Sequence, residues 1–234
     1  MERIIGVNAV TEALLNKEKN IEKLELYKGL KEETTRKIKE LASKRNIKIF
    51  YTGKKIENSQ GVAVYVSKHD YYLEQQVVFD ELTRKDKSII LILDEIQDPR
   101  NFGAIIRSAE AFKVDLIIIP ERNSVRINET VVKTSTGAIE YVAITKVTNL
   151  SDTINKLKKM GYWVYGAAGE ATLNYNLESY PDKIALVLGN EGNGIRKKVR
   201  EHCDKLIKIP MHGKINSLNV SVAAGILLSR FTNS

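Results

Sequence analysis

What the 234-residue chain has little of narrows it first. A single cysteine, Cys203, leaves no partner for an internal disulfide, which fits a reducing, cytoplasmic compartment. A small buried hydrophobe is the expected condition of that thiol. Three histidines, His69, His202 and His212, lie far apart with no cysteine or carboxylate at ligand spacing, so no metal site is expected. No apolar run approaches the ~20 residues that span a bilayer, and the first residues lack the apolar core of a secretion signal. No membrane association is expected, and there is neither an internal repeat nor a low-complexity segment. The chain is long enough to bury a real core as one large or two smaller domains.

What is present is basic. The net charge of +8 divides as +5 over residues 1–70, −1 over 71–87 and +4 over 88–234. Both ends therefore suit a polyanionic partner such as nucleic acid, although a solvated lysine-rich surface would give a similar excess.

Residues 1–70 form a small α/β unit of their own. Val7–Asn16 has apolar residues at helical spacing, Ile21–Gly29 alternates like a strand, and residues 31–46 make a charged helix with a narrow stripe of Ile38, Leu41 and Ala42. Two more strands, in IKIFYTG and GVAVYVS, flank the polar loop KKIENSQ. The expected order is helix, strand, helix, strand, strand. Residues 71–87 form a linker with a short helix, and they lack the glycine and serine of a loose tether.

From residue 88 to 234 strands alternate with helices. Strands are expected at 89–93, 114–119, 141–147, 162–167, 184–188 and 205–209, with helices near 102–112, 128–136, 151–160, 195–202 and 218–231. Near-continuous apolar strands such as IILIL, LIII and IALVL suit a parallel sheet covered by helices on both faces, an α/β domain.

Three stretches share a strand, loop, helix form with unusual loop chemistry: NFGAIIR, LVLGNEGNGI and IPMHGKINSLNVSVAAGI. The last breaks from an apolar strand into a loop rich in backbone N–H groups at the start of an apolar helix, where a polar ligand can be held. That helix is apolar on most faces, which fits a core, a subunit interface or both. GNEGNG has the spacing GxxGxG, late in the chain, which argues against a dinucleotide fingerprint. Dense glycine instead lets main chain approach a ligand closely. Arg107 lies in an otherwise apolar helix, where it needs a partner, and Glu191 is the evident carboxylate.

Together and in this order, the three stretches resemble the motifs of the SpoU family of RNA ribose 2′-O-methyltransferases. The opening IIGVNAVTEAL resembles the small substrate-binding domain that precedes the catalytic domain in some members. The resemblance implies a C-terminal trefoil-knotted parallel-sheet methyltransferase domain, a small N-terminal RNA-binding domain, S-adenosylmethionine as methyl donor, and a homodimer formed through the knotted domain. It implies donor contacts from Leu188, Gly189, Ile209, Ser217 and Leu218. Arg107 becomes the catalytic arginine, oriented by Asn101 and Glu191, with Ser217 and Asn219 completing the acceptor pocket. Phosphate contacts are expected from Arg196, Lys197 and Lys198 beside that site, from Lys54 and Lys55 in the N-terminal unit, and from Arg122 and Arg126. The implied substrate is a guanosine of large-subunit ribosomal RNA. A tRNA methyltransferase of the same family and a non-catalytic RNA-binding or ribosome-assembly protein stay open as alternatives.

Overall fold

The computed structural model describes residues 2–16, 19, 21–54, 56, 59–66, 71–176, 179–215 and 217–232. From residue 88 onward a seven-stranded, wholly parallel sheet forms from β5 (Ser88–Asp94), β6 (Leu116–Pro120), β7 (Ile144–Val147), β8 (Trp163–Ala167), β9 (Leu173–Asn174), β10 (Lys183–Gly189) and β11 (Lys205–Lys208). The spatial order is β7-β6-β5-β10-β8-β11-β9, so the two last strands in sequence are inserted among earlier ones.

Both faces of this sheet are covered, which is why its strands read as unbroken apolar runs. Leu91, Leu93, Ile117, Leu186 and Leu188 face α4 (Pro99–Ala111), α5 (Glu129–Thr134) and α8 (Val220–Thr232). Ile90, Ile92, Ile118, Ala185 and Val187 face α3 (Gln75–Thr83), α6 (Leu150–Lys159) and α7 (Lys197–Arg200). Helix α4 starts three residues before its expected position. Asp98 caps it, its side chain accepting from Arg100 N, and Pro99 occupies the first turn, where a missing N–H costs nothing. At Gly103 α4 presses on α5 so closely that a Cβ would stand 2.6 Å from Thr134 Cβ.

The N-terminal residues build a separate four-stranded sheet, ordered β1 (Glu2–Ile5), β4 (Val62–Val66), β2 (Ile21–Tyr27) and β3 (Ile49–Thr52). Helices α1 (Val7–Leu15) and α2 (Glu32–Ser43) pack against one face through Ile4, Leu24, Leu26, Val62, Val64 and Val66. β1 corrects the expected order, which began with a helix. Ile4 and Ile5 point to opposite faces, and each is buried there by a different cluster, so the short strand shows no alternation. The two-residue β9 also lies below what a pattern can show. The expected strand at 141–147 begins only at Ile144, because a 3-10 turn at Ala138–Glu140 precedes it.

The two sheets meet across a dense junction. Lys19, its side chain fully buried, forms an ion pair with Glu140, whose other oxygen accepts from Asn16 at 3.1 Å. Lys19 also donates to Tyr71 Oη at 2.7 Å, and Tyr141 Oη donates to Glu12. Leu73 N donates to Ile144 O at 2.8 Å and Thr145 Oγ1 to Leu73 O at 2.7 Å, fastening this segment to the edge of β7.

Candidate active site

The polar residues singled out in the sequence gather beyond the carboxyl ends of β5, β8, β10 and β11, where loops of a parallel sheet place ligands. After β10 the chain makes a hairpin: Asn190 N donates to Gly194 O at 3.1 Å and Gly194 N returns to Asn190 O at 2.9 Å. Gly189 is obligatory beneath it, since a Cβ there would lie 2.1 Å from Gly194 C. The hairpin presents Glu191. Its Oε1 accepts from Asn101 Nδ2 at 2.6 Å, and Asn101 Oδ1 accepts from Asn219 Nδ2 at 3.0 Å. Asn219 Oδ1 in turn accepts from Ser221 N at 2.9 Å at the start of α8. Three segments far apart in sequence are thus joined by amide groups donating in one direction toward a carboxylate.

Arg107 sits two turns along α4 from Asn101 and is exposed. The expected ion pair with Glu191 does not form: Glu191 is exposed and bonded to Asn101, and Arg107 makes no ion pair among the described residues. Exposure explains this, because the buried face of α4 is Phe102, Gly103, Ile105, Ile106 and Ala109, and Arg107 lies outside it.

Arg196 also departs from expectation. Its Nε and Nη2 donate to the fully buried Asp94 at 2.8 and 2.7 Å, its backbone N donates to Asp94 Oδ2 at 2.8 Å, and Nη1 reaches Glu95 at 3.1 Å. Burial lowers the guanidinium's pKa, yet the hydrogen bond and charge of Asp94 outweigh it and raise the net value. Arg196 therefore latches β10's loop to β5 while its side chain stays 45% exposed. Glu95, held in the left-handed region at φ 61, turns its carbonyl to accept from Asn190 Nδ2 at 3.0 Å. Lys197 and Lys198 are exposed on α7, and Arg122, Arg126 and Lys54 are exposed in loops. Lys55 lies outside the described residues, as does Asn216 in the third motif.

A cavity of about 1060 Å³ opens beside the relay. Leu188, Gly189, Ile209, Ser217 and Leu218 all line it, with Glu191 at its rim and Ile207, Val220 and Leu227 among its apolar walls. One lining residue escaped the sequence reading. Asn174 lines the cavity too, and its Oδ1 is buried with no hydrogen-bond partner among the described residues. β9 holds it there through its pairing with Lys208, and only that tertiary pairing could have revealed it. An apolar slot, approachable main chain and a buried acceptor fit the adenosyl and amino-acid portions of S-adenosylmethionine. Cys203 stands apart from this chemistry: burial pushes its thiol up to about 12.

Comparison with known proteins agrees. The family model for SpoU rRNA Methylase matches residues 88–229, and that for RNA 2′-O ribose methyltransferase substrate binding matches residues 3–72. The 23S rRNA (guanosine-2′-O-)-methyltransferase RlmB of Xanthomonas campestris is 38% identical over 232 residues, 96% of this chain and 93% of that protein. A Staphylococcus aureus protein assigned to the TrmH family of tRNA/rRNA methyltransferases is 40% identical over 232 residues, again 96% and 93%. The SpoU methyltransferase AviRb of Streptomyces viridochromogenes, solved with AdoMet, shares the fold with a TM-score of 0.82 at 19% identity, covering 99% of this chain and 89% of that one. Fold, site and relatives define an S-adenosylmethionine-dependent RNA methyltransferase. The chain belongs to the SpoU rRNA methylase family.

Proposed function

We propose that this enzyme methylates the ribose 2′-hydroxyl of a guanosine in 23S ribosomal RNA, as the name of its Xanthomonas relatives states for them. The observation that carries the reading is the Glu191–Asn101–Asn219 relay beside a ligand-sized cavity, with Arg107, free of ion pairs among the described residues, on the same helix as Asn101. When bound, S-adenosylmethionine supplies an electrophilic sulfonium methyl. Leu188, Ile209 and Leu218 offer apolar contact to its adenine, Gly189 offers main chain, and Ser217 and Asn174 Oδ1 offer polar contact.

Arg107 faces the acceptor ribose in this reading. A guanidinium is a poor base, so its role is to stabilise the alkoxide as it develops while gripping the neighbouring phosphate, which helps to take the proton. Glu191 and Asn101 fix the loop edge against which the ribose is set, and Ser217 and Asn219 complete that pocket. Positioning of the 2′-oxygen in line with the methyl carbon does much of the work. Lys197, Lys198, Arg122, Arg126 and Lys54 bind phosphates and set the RNA in place.

The working units are residues 1–70 and 88–234, joined by 71–87. A trefoil knot in the second is supported by the late insertion of β10 and β11 between earlier strands. A homodimer is supported by apolar side chains left exposed around the cavity and α8: Met211, Ile215, Leu218 and Val222, the last 50% exposed. The basic charge and single cysteine support a cytoplasmic enzyme.

The test is transfer of labelled methyl from S-adenosylmethionine to unmodified large-subunit rRNA and to bulk tRNA, side by side, with Arg107→Ala as control. Label that resists alkali at one ribose of rRNA and vanishes in the variant is the expected result. Label in tRNA alone overturns the substrate, and absence of transfer despite RNA binding overturns the enzyme reading.

A further inference from the structure

The four-stranded N-terminal sheet has a second face that the helices do not cover. Strand register sets Arg3 beside Tyr65, Tyr65 beside Lys23, and the next same-face residue of β2, Glu25, beside Phe50. A row of Arg3, Tyr65, Lys23 and Phe50 therefore crosses all four strands. Ile5, Ala63 and Ile56 fill the neighbouring part of the face, while Phe50 on the edge strand remains 49% exposed. Lys23 Nζ lies 4.0 Å from the centre of the Tyr65 ring and 5.9 Å from that of Phe50, and the Arg3 guanidinium lies 6.0 Å from Tyr65.

Glu25 is the one carboxylate in this row, and it is already engaged. It takes a 2.8 Å ion pair from Lys23 and a 2.9 Å hydrogen bond from Tyr65 Oη, and the hydrogen bond from Lys23 holds it below the usual carboxylate range. It fixes the cation over the ring. Arg3 Nε is buried and has no hydrogen-bond partner among the described residues. An exposed aromatic on a sheet edge is a liability unless something covers it, and cations interleaved with rings suit an anionic partner that also has flat faces.

We infer that this face is a stacking platform for unpaired bases of the RNA substrate. Phe50 offers its open ring to a base, Tyr65 with Lys23 held over it borders the platform, and Arg3 meets a phosphate. The inference rests on the RNA methyltransferase reading and deepens it by naming the surface and the form of RNA. Duplex RNA hides its base faces, so the platform selects a loop, bulge or strand end.

The probe is a 12-nucleotide single-stranded RNA of mixed sequence carrying 2-aminopurine, with its duplex as comparison, added to the full-length protein. Single-strand binding with quenched 2-aminopurine fluorescence is expected, and weaker binding of the duplex. Phe50→Ala is expected to weaken binding about tenfold and abolish the quench, in line with the worth of one stacked base, while Phe50→Trp keeps both. Arg3→Gln is expected to lower the salt slope by about 0.7. Tyr51→Ala, an equally exposed aromatic on the other side of β3, is the control and is expected to bind as wild type. Unchanged affinity and quench in Phe50→Ala, equal loss in Tyr51→Ala, or a duplex bound as tightly as the strand would each overturn the platform. Far-ultraviolet circular dichroism and denaturant unfolding report whether Phe50→Ala is folded. Failure of wild-type methyl transfer would sink the enzyme reading separately, because these binding measurements involve no catalysis.

Discussion

Two polar clusters in this molecule look alike on paper and differ in what they leave open. At the junction of the two sheets, Lys19, Glu140, Asn16, Tyr71, Glu12 and Tyr141 bond to one another, and the central ion pair is 0% and 2% exposed. At the carboxyl ends of the large sheet, Glu191, Asn101 and Asn219 form a relay at the surface, Arg107 is exposed on the same helix as Asn101, and Asn174 Oδ1 has no partner among the described residues. The first cluster satisfies its members internally. The second keeps valences for something else, and that difference separates a structural polar group from one placed to meet a ligand.

The comparison breaks most visibly at the junction. Glu140→Ala would take the carboxylate from a buried ammonium, and the expected loss is about 3–5 kcal/mol of stability. Denaturant unfolding measures it, while single-turnover methyl transfer per folded molecule should stay near wild type. A matching collapse in turnover would mean the junction is part of the catalytic apparatus.

Arg107→Lys is the mirror experiment. The exposed site should leave stability within about 0.5 kcal/mol of wild type. Turnover should fall by about 10²–10³, the cost of losing one preorganised donor to a developing oxyanion, because an ammonium cannot reproduce the planar fork. Near wild-type turnover would remove Arg107 from the chemistry.

Asn174→Leu sharpens the contrast further, since it should move binding and stability in opposite directions. KM for S-adenosylmethionine should rise by a few-fold to about tenfold with kcat held, the worth of a single hydrogen bond. The free protein should be as stable as wild type or more so, because an unpaired buried acceptor has been removed. A destabilised variant with unchanged KM would make Asn174 a structural residue.

The same contrast separates what is legible in the sequence from what is not. IILIL and IALVL announced a covered parallel sheet because both of their faces are buried. The partnerships of two arginines are not legible there: Arg107, in an apolar stretch, is exposed, and Arg196, in a basic stretch, is bonded to Asp94, 102 residues away. Local spacing shows which helix face is apolar on average, but not where a distant carboxylate arrives. Asn101 bonds across 90 residues to Glu191 and 118 to Asn219, and it was singled out only because the motifs resemble a known family. Asn174, on a two-residue strand outside those motifs, had no such help.

The smallest effect expected is a pH dependence at the junction. Tyr141 donates to Glu12, and that hydrogen bond first, then burial, pushes the phenol up to about 12 from 10.0. A folded pKa above the unfolded one means that the fold favours the protonated phenol. The contribution is complete below pH 10, declines as the unfolded phenol starts to ionise, and is gone once pH has risen through 12. Tyr141 is 63% exposed, so solvent screens the interaction and the gain is modest. Tyr141→Phe should accordingly lower the denaturant midpoint at pH 8, and its gap to wild type should close as the pH approaches 12. A gap that stays constant over that range would assign Tyr141's contribution to ring packing, and the junction would then be held by the Lys19–Glu140 pair without help from the second hydrogen bond.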